Sequence, residues 1–166
     1  MTSAWDIFFK NQIGYCDIAL IKQILSDQFV QKWVGDIENS SKGLFYSTFK
    51  KNFCLENYLL RLGENNRLWL TKLRTSNLRL PIETGRWYNI PREDRKCTLC
   101  NDGIGDEFHL LFICKHGSIA ALRNKYIPSY YTNHPSLIKF ERLLSICNTE
   151  LYKRISLFIR KAVPIL

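Results

Sequence analysis

Apolar residues recur at helical spacing along most of the chain, and the pattern predicts a mainly α-helical protein with little strand. Ser3 followed by Asp6 reads as a capping box opening AWDIFFKNQI. Beyond it Ile18, Ile21, Leu25 and Phe29 repeat at intervals of three and four into Trp33 and Val34. ENSSKG, residues 38–43, breaks that periodicity. The aromatic-rich LFYSTFKKNFCLENYLL that follows fits helix or short strand equally well. ENNRLWLTKLRTSN is helical from about Asn65 or Asn66.

Pro81 then ends the helical option, so RLPIETGRWYNIPRED is expected to be extended and turn-containing. Residues 106–126 form one or two helices interrupted near His116 and Gly117. Pro128 and YYTNHPS make a linker, and Pro135 suits the first position of a helix running through LIKFERLLSI. The last helix is the most clearly two-sided. Leu151, Ile155, Phe158, Ile159 and Ala162 share one face, with Lys153, Arg154, Arg160 and Lys161 opposite. That apolar stripe needs a cover, which is the body of the domain first, then a partner chain or a membrane surface.

The 166 residues, 46% hydrophobic and 13% aromatic, are enough for one domain with a real core. No apolar run approaches the length of a membrane span, and Asp6 and Lys10 interrupt the one apolar stretch near the start, unlike a secretory signal. A soluble, intracellular protein without membrane contact is expected. The organisation reads as a neutral helical part, residues 1–60, which either shares one core with the rest or docks a partner. A basic helical region, residues 61–166, carries a knuckle at residues 97–114.

The chemistry is concentrated in that knuckle. Cys97, Cys100, His109 and Cys114 form the array C-x2-C-x8-H-x4-C, the ligand type and spacing of one structural zinc ion. Asn101, Asp102 and Gly103 after the second cysteine supply residues that tolerate left-handed backbone. On an ideal α-helix positions 109 and 114 lie about 140° apart, so the helix must distort near Phe112 and break just before Cys114. Three thiolates and an imidazole leave no open position for water, so the expected site is closed and non-catalytic. His116 is a less favourable substitute ligand. Cys16, Cys54 and Cys147 lie among apolar neighbours and are expected as free core thiols. Glu107, two residues from His109, reads as a charge near the ligand or at a helix N-terminus.

The net charge of +9 is uneven: residues 1–60 are neutral, 61–100 carry +5, 101–114 carry −3 and 115–166 carry +7. Basic segments therefore flank an acidic knuckle. Attraction to a polyanion belongs to the flanks, with the metal as scaffold. The candidate nucleic-acid contacts are Arg74, Arg79, Arg86, Arg92, Arg95 and Lys96, the tail's Lys153, Arg154, Arg160 and Lys161, and Trp87 in its turn-rich stretch as a surface for bases.

LTKLRTSNLRLPIETGRWYNIPREDRKCTLCNDGIGDEFHLLFIC, residues 70–114, resembles the zinc-binding region downstream of the polymerase core in reverse transcriptases of non-long-terminal-repeat retrotransposons. LRNKYIPSYYTNHPSLIKFERLLS, residues 122–145, is similar to the helical tail that follows it. The resemblance implies a module that binds element RNA or target DNA, with Cys97, Cys100, His109 and Cys114 as ligands, in the nucleus or cytoplasm and rather the nucleus. Leu78 departs from it, standing where the family often has histidine. The chain itself has no Tyr-x-Asp-Asp run, no phosphate-binding Gly-rich loop, no H-E-x-x-H and no G-x-S-x-G, so an enzyme is not expected. Glu150 and Lys153 read as an ordinary ion pair. Two functions stay open: a zinc-stabilised nucleic-acid-binding module, and a zinc-stabilised structural module that docks a polymerase or another protein.

Overall fold

A computed structural model describes residues 15–166, with side-chain burial described from residue 18. The capping box at Ser3 and the side chain of Cys16 lie outside the described residues. The chain falls into two compact units, Met1–Ser40 and Ser41–Leu166. The described part of the first is one helix, α1 (Tyr15–Glu38), where the apolar periodicity required it. Lys32 and Asp36 pair along it at 2.8 Å, and the Asn39 backbone and side-chain amides both donate to the Gly35 carbonyl.

The second unit is helical with a single antiparallel bridge, Lys96 to Ile104, among the described residues. Its α-helices are α2 (Tyr46–Phe49), α3 (Asn57–Arg61), α4 (Glu64–Arg74), α5 (Pro81–Trp87), α6 (Gly117–Tyr126), α7 (Ser129–Thr132), α8 (Leu137–Ser145) and α9 (Thr149–Ala162). Helix α9 is central. Asn148 caps it by accepting from the Leu151 amide at 2.9 Å. Leu151, Ile155, Phe158, Ile159 and Ala162 are all buried, packed against α4 and α6. The domain itself thus covers the stripe, while Lys153, Arg160 and Lys161 face solvent. Tyr58 of α3 packs edge-on to Tyr152 of α9 at 6.0 Å, and Phe49 of α2 joins the same core.

A second aromatic cluster places the knuckle. Phe140 of α8 holds Phe45 at 4.9 Å, Phe108 at 5.8 Å and Phe112 at 6.0 Å. Phe108 and Phe112 bracket the turn that carries His109, so this turn is anchored by its apolar face.

Three local expectations are corrected. Pro81 begins a helix, because at the first helical position its missing amide costs nothing; the Glu83 and Thr84 amides donate to the Leu80 carbonyl at 2.9 Å. Ser136, not Pro135, starts α8, its Oγ accepting from the Lys139 amide at 3.3 Å, and the expected linker contains the turn α7. Cys54 and Cys147 are free but exposed, so neither belongs to the core.

Candidate metal centre

Cys97 leaves the Lys96–Ile104 bridge, and its amide donates to the Gly103 carbonyl at 3.0 Å while its carbonyl accepts from Asn101 at 2.9 Å. Asn101 (φ +53°) and Gly103 (φ +74°) take the left-handed conformations that tighten this knuckle. Gly105 meets a different demand: a Cβ there would lie 2.7 Å from Pro81 Cγ and 3.0 Å from Cys97 Cα. That close approach lets the Ile82 amide of α5 donate to the Gly105 carbonyl at 3.1 Å.

The second ligand pair depends on a π-helical turn, His109–Ile113. Asp106 starts it by accepting from the His109 amide at 2.8 Å. The Cys114 amide donates to the His109 carbonyl at 2.8 Å, an i→i+5 bond that stacks residue 114 over residue 109. The distortion required near Phe112 is this widened turn, and the chain leaves helical geometry at Cys114. Turns of this kind occur often at functional sites.

Cys97, Cys100, His109 and Cys114 consequently present four ligand atoms within 4.8 Å of one another. Cys97 Sγ lies 3.9 Å from Cys114 Sγ, and Cys100 Sγ lies 3.2 Å from His109 Nε2. The sulfur pair is far beyond the roughly 2.0 Å of a disulfide, and the four can hold one metal ion. Cys97, His109 and Cys114 are buried and Cys100 is half-buried. His116 stands outside this cluster, immediately before α6, where its carbonyl accepts from the Ala120 amide at 2.9 Å.

Burial lowers the His109 pKa, opposed by Asp106 and Asp102, which favours the neutral imidazole that binds metal. Burial also pushes the Cys114 thiol up to about 11, with Cys97 adding to the rise. At Cys100 burial is outweighed by backbone hydrogen bonds at Asp102 and Lys115 and by the two other thiols, leaving it below its ordinary value. Lys115 pairs with Asp102 at 2.7 Å and ties the exposed tip of the loop. Glu107 makes no ligand-supporting bond: it is buried and its Oε1 has no hydrogen-bond partner.

The candidate phosphate contacts divide sharply. Arg74 is corrected outright. It is 2% exposed, pairs with Glu56 at 2.9 Å, donates to the Leu144 carbonyl, and lies over the Phe49 and Tyr58 rings. Arg95 is half-buried, with Nε on the Ile90 carbonyl and Nη1 on the Ile82 carbonyl, both at 2.9 Å, so it braces α5. Arg154 is half-buried and Lys153 pairs with Glu150 at 3.7 Å. Arg79, Arg92, Lys96, Arg160 and Lys161 are exposed. The side chains of Arg79, Lys96, Arg160 and Lys161 make no hydrogen bond or ion pair among the described residues. Trp87 is 64% exposed and Tyr88 75%.

Two of these cations, Arg79 and Arg86, and Trp87 line one groove of about 700 Å³, together with Trp69, Lys72 and Lys42. Arg86 is held by Glu83 at 3.1 Å, and Lys72 Nζ sits 4.7 Å from the Trp69 ring centroid. On the other side of the turn Val163–Ile165, Arg160, Lys161 and Lys125 line a shallower concavity. The sequence reading missed Trp69 and Lys72, although their i,i+3 spacing on a helix was a usable signal. It also missed Arg123, for which no local pattern exists. No protein family, curated protein or solved structure matches the chain. Among the described residues no helix is long and apolar enough to cross a membrane.

Proposed function

We propose that the protein is a non-catalytic nucleic-acid-binding module scaffolded by one structural zinc ion, of the kind that accompanies retrotransposon reverse transcriptases. Three thiolates and one imidazole select a soft, tetrahedral ion. With bonds of about 2.3 Å to sulfur and 2.0 Å to nitrogen, zinc sets S···S edges of about 3.8 Å and S···N edges of about 3.5 Å. The 3.9 Å and 3.2 Å separations here are close to those values. Four protein ligands complete the shell, leaving no position for a reacting water.

The observation that carries the nucleic-acid reading is the basic, tryptophan-lined groove and its attachment to the knuckle. Helix α5 supplies Arg86 and Trp87 to the groove, and it is fastened to the knuckle by the Ile82–Gly105 hydrogen bond and by Arg95. The ion thereby holds one wall of the groove. Lys42, Lys72, Arg79 and Arg86 line the groove with a single acidic side chain, Glu83, which pairs with Arg86 at 3.1 Å. Exposed Leu137 and Ile138 at the start of α8 support the second reading, protein docking.

The test is elemental analysis of the purified chain, followed by titration of the same sample with labelled RNA and DNA at two salt concentrations. The expected result is one zinc per chain and binding that weakens steeply with salt, by a log–log slope of about −0.9 per phosphate neutralised on duplex DNA. Zinc without salt-sensitive binding moves the reading to protein docking.

A further inference from the structure

We propose that the groove takes single-stranded nucleic acid, with an unpaired base stacked on Trp87 and the adjoining phosphates on Arg79 and Lys72. This rests on the nucleic-acid reading above and adds the strandedness and the stacking residue. Trp87 ends α5 at a turn completed by Asn89 at φ +53°. Its indole makes no ring contact or hydrogen bond among the described residues and remains largely exposed. Trp69 differs: it is half-buried in the groove and Lys72 already covers its ring. The groove thus offers one open aromatic face, not two.

A base in a duplex has both faces taken by its neighbours, so an exposed indole gains nothing from it. An unpaired base can stack there while cations on either side follow its backbone. Arg79 has no partner among the described residues to give up, and Glu83 is held by Arg86, so little stands in a phosphate's way. The groove's size, about 700 Å³, falls within the roughly 300–1,000 Å³ of sites that enclose small ligands. That suits a nucleotide or two.

The zinc-loaded full chain is titrated with a labelled twelve-nucleotide oligouridylate, the matching oligothymidylate, the same sugar–phosphate chain without bases, and a duplex of equal length. Base-bearing strands should bind about tenfold more tightly than the abasic strand, with quenching of tryptophan fluorescence. Trp87→Ala should remove that margin and Trp87→Phe should keep most of it. Because Trp87 is exposed, neither change threatens the fold. Arg79→Ala should weaken all single strands and lower the salt slope by about one. Equal preference for RNA and DNA, or for either one, supports the inference provided that the base-dependent margin is present. Salt-sensitive binding that ignores bases, favours duplex and survives Trp87→Ala overturns the stacking site and leaves the nucleic-acid reading standing. No binding to any of the four overturns both.

Discussion

Arg123 Nη2 donates to the carbonyl oxygen of Cys114 at 2.8 Å and to that of Leu110 at 3.3 Å. Helix α6 thereby secures the carbonyl end of the π-helical turn, where the chain leaves helical geometry and two carbonyls lose their helical donors. The guanidinium is buried, and with an ion bound it would supply compensating charge beside three cysteine thiolates. Replacing Arg123 with methionine leaves two buried carbonyls unpaired, at about 1–3 kcal/mol each. A loss of at least about 2 kcal/mol in urea unfolding of the zinc-loaded protein is expected, together with weaker zinc retention against a chelator. Unchanged values would reduce Arg123 to a space-filling residue.

Metal removal should unfold the knuckle and α6 and loosen α5. Zinc binding of about 10–16 kcal/mol in small domains is comparable to the whole stability of a domain, about 5–15 kcal/mol. Chelation should abolish the helical circular-dichroism signal of at least the knuckle and α6. Cobalt substitution should give the visible spectrum of a tetrahedral, thiolate-rich site. Cys114→Ser should alter that spectrum, and His116→Ala should leave it as it is.

Gly105→Ala tests the seam between knuckle and groove. Its Cβ would press on Pro81 and on the Cys97 backbone, an overpacking of about 1–3 kcal/mol. Because the same carbonyl holds Ile82, nucleic-acid affinity should fall along with thermal stability. Leu137→Ala, a substitution at an exposed position, should move neither.

Glu107 gives a pH signature. Burial raises its carboxyl from 4.5 to about 7, with Asp106 and Glu83 adding to the rise. Between these values the native state holds a proton that the unfolded chain has released. This contribution to stability is therefore present in full below about pH 4.5 and is lost as pH rises through 7. Glu107→Gln should be stabilising relative to the parent at pH 8, by at most about 3 kcal/mol, with the advantage vanishing near pH 4.5. Comparing the two proteins at each pH cancels the separate effect of acid on the metal ligands. A pH-independent difference would show that Glu107 does not titrate in this window.

Arg74 and Arg160 separate folding from binding. Arg74→Ala takes from Glu56 one of its two cations, with Lys50 remaining at 3.2 Å, and leaves the Leu144 carbonyl without its guanidinium donor; it should destabilise by about 1–3 kcal/mol. Arg160 is exposed without a partner among the described residues. Its alanine variant should change stability by less than about 0.5 kcal/mol and reduce the salt slope of binding. Chemical denaturation and salt titration of the pair decide the assignment.

The sequence by itself determined the helical class, the two-sided last helix, the four residues that cluster as a possible metal site and the need for a distortion between His109 and Cys114. These follow from periodicity and from ligand spacing within eighteen residues, Cys97–Cys114, both of which are local. It misread Pro81 because a proline that ends one helix is also the best residue to begin another, and only the Leu80 carbonyl and the Gly105 contact distinguish the two. It counted Arg74 among the phosphate contacts because charge along a chain carries no burial. Tertiary structure alone decided which cations are structural and which face solvent. It also decided that Arg123 secures the turn and that Trp69, Lys72, Arg79, Arg86 and Trp87 share a groove. The physical reason is range: hydrophobic period and metal spacing act over a few residues, whereas a cation's role depends on which carboxylates and carbonyls the folded chain brings beside it.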